Sequence, residues 1–323
     1  MADTSISLRA IDSFFVSGGT RTLSGLPVDM RVLAQSAAPR PVDPNGDHTT
    51  GQMYVQAFRL AQPRHALPIV LWHGGGMTGV NWETTPDGRP GWLWRFLHAG
   101  YDVYVSDAVE RGRSSWSTYP EIYESKPIFR TRDEAWQMFR IGLAEGYATD
   151  PAQRCAFDGQ QFPVDHFDEF AKQWVPRWAG HETITSDAYD ALLHRVGPCI
   201  VVAHSQGGGF SMLAAQRQPQ LVRAVVALEP SGAPSFRSTE RIPPHLVMWG
   251  DYIADHPVWP RYRQTVDQYC AALQEAGGAV EVVDLPQQGI RGNSHFLMMD
   301  SNSDALAEQV LAWLPAATGS PES

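Results

Sequence analysis

Six short apolar runs, each bounded by turn residues and separated by helical periodicity, constrain this chain more than any other feature. They are "LPIVLW" at 67–72, "YDVYVSDAV" at 101–109, "CIVVAH" at 199–204, "VRAVVAL" at 222–228, "HLVMW" at 245–249 and "AVEVVDLP" at 279–286. Runs rich in Val and Ile with little polar alternation read as strands buried between two layers. Between and after them lie helical patterns: "GWLWRFLHAG", "SDAYDALLHRVG", "FSMLAAQRQ", "RYRQTVDQYCAALQEAG" and "SDALAEQVLAWL". Such alternation predicts an α/β fold, a doubly wound and mostly parallel sheet with crossover helices. Upstream, "SFFVSGG", "VDMRVLAQ" and "GQMYVQAFRL" predict a β-meander leading into the first buried strand.

One stretch breaks the rhythm. About 70 residues after Arg113 carry aromatics at irregular spacing, among them Trp116, Phe129, Trp136, Phe139, Trp174 and Trp178. An unstructured loop of that length is improbable in a compact domain, so a mostly helical insertion packed on the core is expected. Residues 1–113 and 184–315 then form the core, 114–183 the cap, and 316–323 a disordered tail.

Charge narrows the partners. The net charge is −10 and the 25 Lys and Arg are scattered, so the basic stripe that nucleic acid or an anionic membrane needs is missing. No apolar run approaches the ~20 residues of a membrane helix. "MADTSISLRAIDSFF" lacks the basic then apolar pattern of a signal peptide, so a cytoplasmic protein is expected. Cys155, Cys199 and Cys270 are odd in number and widely spaced, as separate reduced thiols would be, and no metal site or cofactor is expected. Homodimerisation is left open.

The chemistry concentrates in "VVAHSQGGGFSMLAA", where a buried strand passes through Ser205 into glycines and a helix. A serine held on a sharp strand-to-helix turn needs small residues two positions away on each side, because the two backbones approach closely there. Ala203 and Gly207 meet that demand, although Ala203 stands where glycine is usual. Ser205 could serve only as a helix N-cap. The free N–H groups that follow it would equally favour a developing oxyanion. Gly208 and Gly209 would leave room for an acyl group or the cap.

"LWHGGGMTG" follows the first buried strand, and its glycines let backbone N–H groups reach a site unobstructed. Gly75 and Gly76 are the candidates, partnered by the N–H of Gln206, while His73 is expected to anchor the loop by hydrogen bonds. A serine nucleophile also needs a base. His295, in "RGNSHFLMMD", follows the last predicted strand and precedes the final helix. The acid is Glu229, at the apolar strand end "VVALEP", with Asp255 and then Asp251 as alternatives; a carboxylate there calls for a partner.

With "WHGGGMTG", "DAVERGRSSW", "AHSQGGG", "ALEPSG" and "GNSHFLMMD" in this order, the chain resembles the α/β-hydrolase superfamily over nearly its full length. More narrowly it is similar to the bacterial esterase family typified by an Alcaligenes esterase. It departs from that family in having Gly75 and Gly76 where relatives can carry adjacent cysteines. The resemblance implies a Ser205, Glu229, His295 triad, Gly75 and Gln206 as oxyanion donors, and a cap before the nucleophile strand.

The expected function is hydrolysis of a small, largely apolar carboxylic ester through an acyl-enzyme, without cofactor. Gly76, Trp82, Trp116 and Phe296 are candidate pocket residues, with Trp92 beside them. Lactone, amide or C–C bond hydrolysis would use the same triad. A dehalogenase or epoxide hydrolase would need aspartate at position 205. From another class, a ligand-binding protein could keep the fold without the chemistry, a reading that the completeness of the triad disfavours.

Overall fold

The buried runs become the middle of a twisted sheet in the computed structural model of the chain, which describes residues 5–123 and 125–319. Ten strands follow in chain order among the described residues. They are β1 (Leu8–Leu23), β2 (Asp29–Arg31), β3 (Arg40–Val42), β4 (Gly46–Leu60), β5 (Ile69–Trp72), β6 (Val103–Asp107), β7 (Cys199–His204), β8 (Val222–Leu228), β9 (His245–Trp249) and β10 (Val280–Asp284). Eight pair in the order β1, β4, β6, β5, β7, β8, β9, β10, while β2 and β3 form a separate ribbon. Neighbours from β6 through β5 to β10 are parallel. The meander is the long hairpin of β1 and β4, joined antiparallel to β6.

Alternate residues of the central strands enter two cores. Ile69, Leu71, Ile200, Val202, Ala224 and Val226 pack under the helices Trp92–His98 and Ser303–Thr318. Val70, Trp72, Val201, Ala203, Val225 and Ala227 pack under Glu182–Val196, Gln206–Arg217 and Trp259–Glu275. A sheet covered on both faces explains why these runs lack polar alternation. From β5 the chain moves to β6 on one side and later to β7 on the other. The carboxyl ends of β5 and β7 thus flank the switch point, where open α/β sheets form a crevice.

Two expectations need correction. Residues 114–183 are largely irregular: α-helix covers Pro120–Tyr123, Arg132–Met138 and Phe167–Ala171, with 3₁₀ turns between them. Five prolines in the segment remove N–H donors and stop helices from propagating, and tertiary aromatic packing holds it instead. Phe139, Phe162, Phe167, Phe170 and Trp136 are buried in the same core as the sheet. The tail differs as well. The final helix runs through Pro315 to Thr318 because Leu306, Val310 and Leu314 form a buried stripe on the sheet, and it closes on Gly319 at φ +67°. The rest of the expected tail, 320–323, lies outside the described residues.

Candidate active site

Ser205 leaves β7 with φ 53° and ψ −118°, a strained conformation for a residue with a side chain. It occupies the N-cap position of Gln206–Arg217, yet its side chain makes no capping hydrogen bond. Three backbone hydrogen bonds hold the turn instead. Ser205 N–H donates to Leu228 O at 2.9 Å, and Ser205 O accepts from Gly208 N–H at 2.9 Å and Ser231 N–H at 3.1 Å. The turn demands its small neighbours: a Cβ on Gly207 would lie 2.7 Å from His73 O and 3.0 Å from Trp72 O. Ala203 is fully buried between Trp72 on β5 and Ala227 on β8. Gly208 and Gly209 serve packing, since a Cβ there would meet Pro230 Cβ at 2.7 Å and Gly232 O at 3.2 Å. The close approach of the loop after β8 therefore replaces the open space expected at these two positions.

The glycine loop after β5 lies against this turn. A Cβ on Gly74 would sit 2.9 Å from both Ser205 Cβ and His204 Nδ1, and one on Gly75 would sit 2.9 Å from Gln206 Oε1. His73 anchors the loop: Nδ1–H donates to Gly74 O at 2.8 Å, and Nε2 accepts from Ala108 N–H at 2.9 Å. Burial lowers its pKa to about 4, so it is a neutral ring with a fixed tautomer.

His295 is almost fully buried and its Nδ1 lies 3.3 Å from Glu229 Oε2. Its main chain is fixed on both sides, with N–H donating to Phe139 O at 3.0 Å and the carbonyl accepting from His204 Nε2–H at 2.8 Å. Phe139 stacks on the ring at 14° and Trp259 lies 4.3 Å from it. Burial, then the charges of Arg140 and Arg130, hold the His295 pKa well below its ordinary value. The ring therefore rests neutral, with Nδ1–H toward the carboxylate and the Nε2 lone pair free to accept a proton. Asp300 braces this loop by accepting from Ser294 Oγ at 2.6 Å, Ser294 N–H at 2.9 Å and Asn293 Nδ2 at 2.8 Å.

Glu229, at φ 51°, is completely buried. Its Oε1 accepts from Gly250 N–H and lies 2.7 Å from Arg140 Nη2, whose side chain is equally buried. Arg140 Nε donates to Asp251 O at 2.7 Å and its guanidinium lies over the Trp259 ring. Burial raises the Glu229 pKa and the Arg140 charge opposes that rise. The two alternative acids serve elsewhere or outside. Asp251 accepts from Gly292 N–H and Tyr252 N–H, and Asp255 is exposed.

Ser205, His295, Gly75 and Gln206 line one cavity of about 50 Å³, closed by Met138, Phe139, Trp259 and Tyr262, with Arg130 and Arg177 in its wall. The expected pocket aromatics lie elsewhere. Trp82 packs on Trp92 in the sheet core, Trp116 packs on Trp178, and Phe296 packs between Phe139 and Phe170. Gly76 at φ +73° turns the loop, and its carbonyl accepts from Val175 N–H at 2.9 Å. Apolar bulk in the sequence signalled burial, not the side on which each ring would be buried. Arg130, Arg140 and Arg177 escaped the sequence reading, although a lone arginine in the apolar run "MFRIGL" is itself a sign of a buried ion pair.

The family described as alpha/beta hydrolase fold matches residues 68–276. The chain belongs to that family. A solved structure entitled a novel bacterial esterase is 31% identical, covers 97% of this chain and 98% of its own, and superposes with a TM-score of 0.82. A fungal protein named "Probable secreted lipase phiG" is 31% identical over 83% of this chain and 87% of its own. Among the described residues no helix is long and apolar enough to cross a membrane.

Proposed function

We propose that the chain is a carboxylic ester hydrolase in which Ser205 is the nucleophile, His295 the base and Glu229 the orienting acid. The observation that carries this reading is the meeting of a strained serine turn and a histidine backed by a buried carboxylate on one small cavity. Ser205 Oγ adds to the ester carbonyl carbon while its proton passes to His295 Nε2. The negative oxygen is received by the N–H groups of Gly75 and Gln206. Collapse breaks the carbon–oxygen bond, and the imidazolium returns its proton to the departing alcohol. Water then repeats the sequence and releases the acid. Glu229 holds the Nδ1–H tautomer and stabilises the imidazolium, and Arg140 keeps Glu229 ionised. The names of the bacterial and fungal relatives support the ester as substrate class.

Residues 114–183 act in this reading as the cap, since Met138 and Phe139 roof the cavity. Three free cysteines support a cytoplasmic site of action, against the word "secreted" in the fungal relative's name. A fluorophosphonate probe tests the chemistry: it should label the wild type and not Ser205→Ala, and 4-nitrophenyl acetate should turn over. Folded wild type that neither labels nor turns over would refute the assignment.

A further inference from the structure

The nucleophile cavity is cationic in a protein that is strongly anionic overall. Thirty-five acidic residues face 25 Lys and Arg in the chain, yet Arg130 and Arg177 both line the cavity and, among the described residues, no carboxylate does. Glu229 stands behind His295 and is bound to Arg140. Arg130 meets Glu134 at 2.6 Å, but that carboxylate is 47% exposed and outside the cavity. The side chain of Arg177 has no ion pair or hydrogen bond among the described residues.

The placement of these two arginines is built into the fold. Ile128 and Arg177 form an antiparallel bridge, with Ile128 N–H donating to Arg177 O at 2.7 Å and Arg177 N–H to Ile128 O at 3.1 Å. Val175 N–H donates to Gly76 O, which fastens the same segment to the glycine loop. Arg177 Nη1 consequently lies 3.0 Å from where a Cβ on Gly75 would sit. Arg130, two residues beyond the bridge, is pushed below its ordinary pKa by burial and by Arg177, with Glu134 opposing. Two like charges held beside one small cavity, one of them without an ion-pair partner among the described residues, call for an anion.

We propose that Arg177, with Arg130 beside it, binds a carboxylate carried by the ester substrate within a few bonds of the scissile carbonyl. This rests on the ester-hydrolase reading and names its substrate class: short half-esters or acyloxy acids rather than plain apolar esters. The planar guanidinium presents paired N–H donors that match a carboxylate's two oxygens. The carboxylate belongs either to the acyl half or to the alcohol half of the ester.

Two matched pairs of substrates, followed by pH-stat, separate these sources. Monoethyl succinate against ethyl succinamate tests the acyl side; acetoxyacetate against 2-acetoxyacetamide tests the alcohol side. In at least one pair the acid's kcat/KM should exceed the amide's by about tenfold or more, the scale of one charge-assisted contact. Arg177→Gln should bring that ratio to within about threefold, and Arg177→Lys, which keeps the charge without the fork, should fall between. Equal rates within both wild-type pairs would overturn the proposal. So would an Arg177→Gln loss shared equally by acid and amide, which would place the guanidinium on the oxyanion instead. Failure of the hydrolase reading is distinguishable, because wild type would then resist the fluorophosphonate. In that event calorimetric binding of succinate by wild type but not Arg177→Gln would sustain the anion site, and no binding would sink it.

Discussion

At the residue scale the chemistry depends on how three buried groups share charge. As the proposed base, His295 must be neutral to take the serine proton, and burial together with Arg140 and Arg130 favours that form. In the proposed mechanism the imidazolium that forms is enclosed by Phe139 and Trp259 and needs a counter-charge, for which Glu229 stands at 3.3 Å. Arg140 holds Glu229 from its other oxygen and fixes the face it shows to the histidine. Replacing Glu229 with Gln keeps the shape but removes the charge and permits the wrong tautomer. It should lower kcat by at least about 100-fold, given that losing the corresponding carboxylate in a serine triad costs up to ~10⁴. Steady-state turnover of 4-nitrophenyl acetate reads this directly, and a rate within a few-fold of wild type would return the acid role to Asp251 or Asp255.

At the scale of elements, the strained turn at Ser205 exists because β5, β7 and Gln206–Arg217 converge where only backbone fits. Gly207→Ala would drive a methyl group to 2.7 Å from the His73 carbonyl, an atom that cannot swing aside. A loss of about 1–3 kcal/mol or more is expected, the cost of overpacking against rigid neighbours. Urea unfolding should show it, whereas an unchanged midpoint would mean that the helix can tilt away. Ala203→Gly is the contrasting case, costing only about 0.5–1 kcal/mol through backbone entropy. This convergence was legible in the sequence, since apolar runs, a serine and small residues at fixed spacing are local signals. Ser205 and Glu229 were legible as candidates for the same reason, since each follows a strand end, and His295 by its place in the loop between the last strand and the final helix. Trp82, Trp116 and Phe296 were misplaced because an aromatic residue declares burial without naming its neighbours. The cavity arginines were not legible, because the Ile128–Arg177 bridge and the Val175–Gly76 hydrogen bond that set them are long-range pairings in an irregular segment.

For the molecule as a whole, pH acts on the fold before it acts on the base. His73, His204, His245, His256 and His295 all have pKa values lowered mainly by burial, to about 4 for His73, His245 and His256. In the unfolded chain each returns to about 6.5. The stability that comes with burying them neutral is therefore full above pH 6.5 and is lost as pH falls toward 4, because only the unfolded chain takes up the protons. Asp300 works the other way. Burial raises its pKa to about 7, so between pH 7 and its ordinary range the folded state holds a proton that the unfolded one lacks. The histidines whose folded values lie near 4 outnumber Asp300, so unfolding takes up protons near pH 5 and stability falls as pH falls. The thermal midpoint should fall steeply between pH 6 and 4.5, and a flat profile there would contradict neutral buried histidines. Burial and the nearby arginines hold the His295 pKa well below its ordinary value, so activity should follow the folded fraction as pH falls. Circular dichroism and ester turnover, measured on the same samples from pH 7 to 4.5, should fall together. Turnover lost while the circular dichroism stays native would instead place the acid limit on His295 itself.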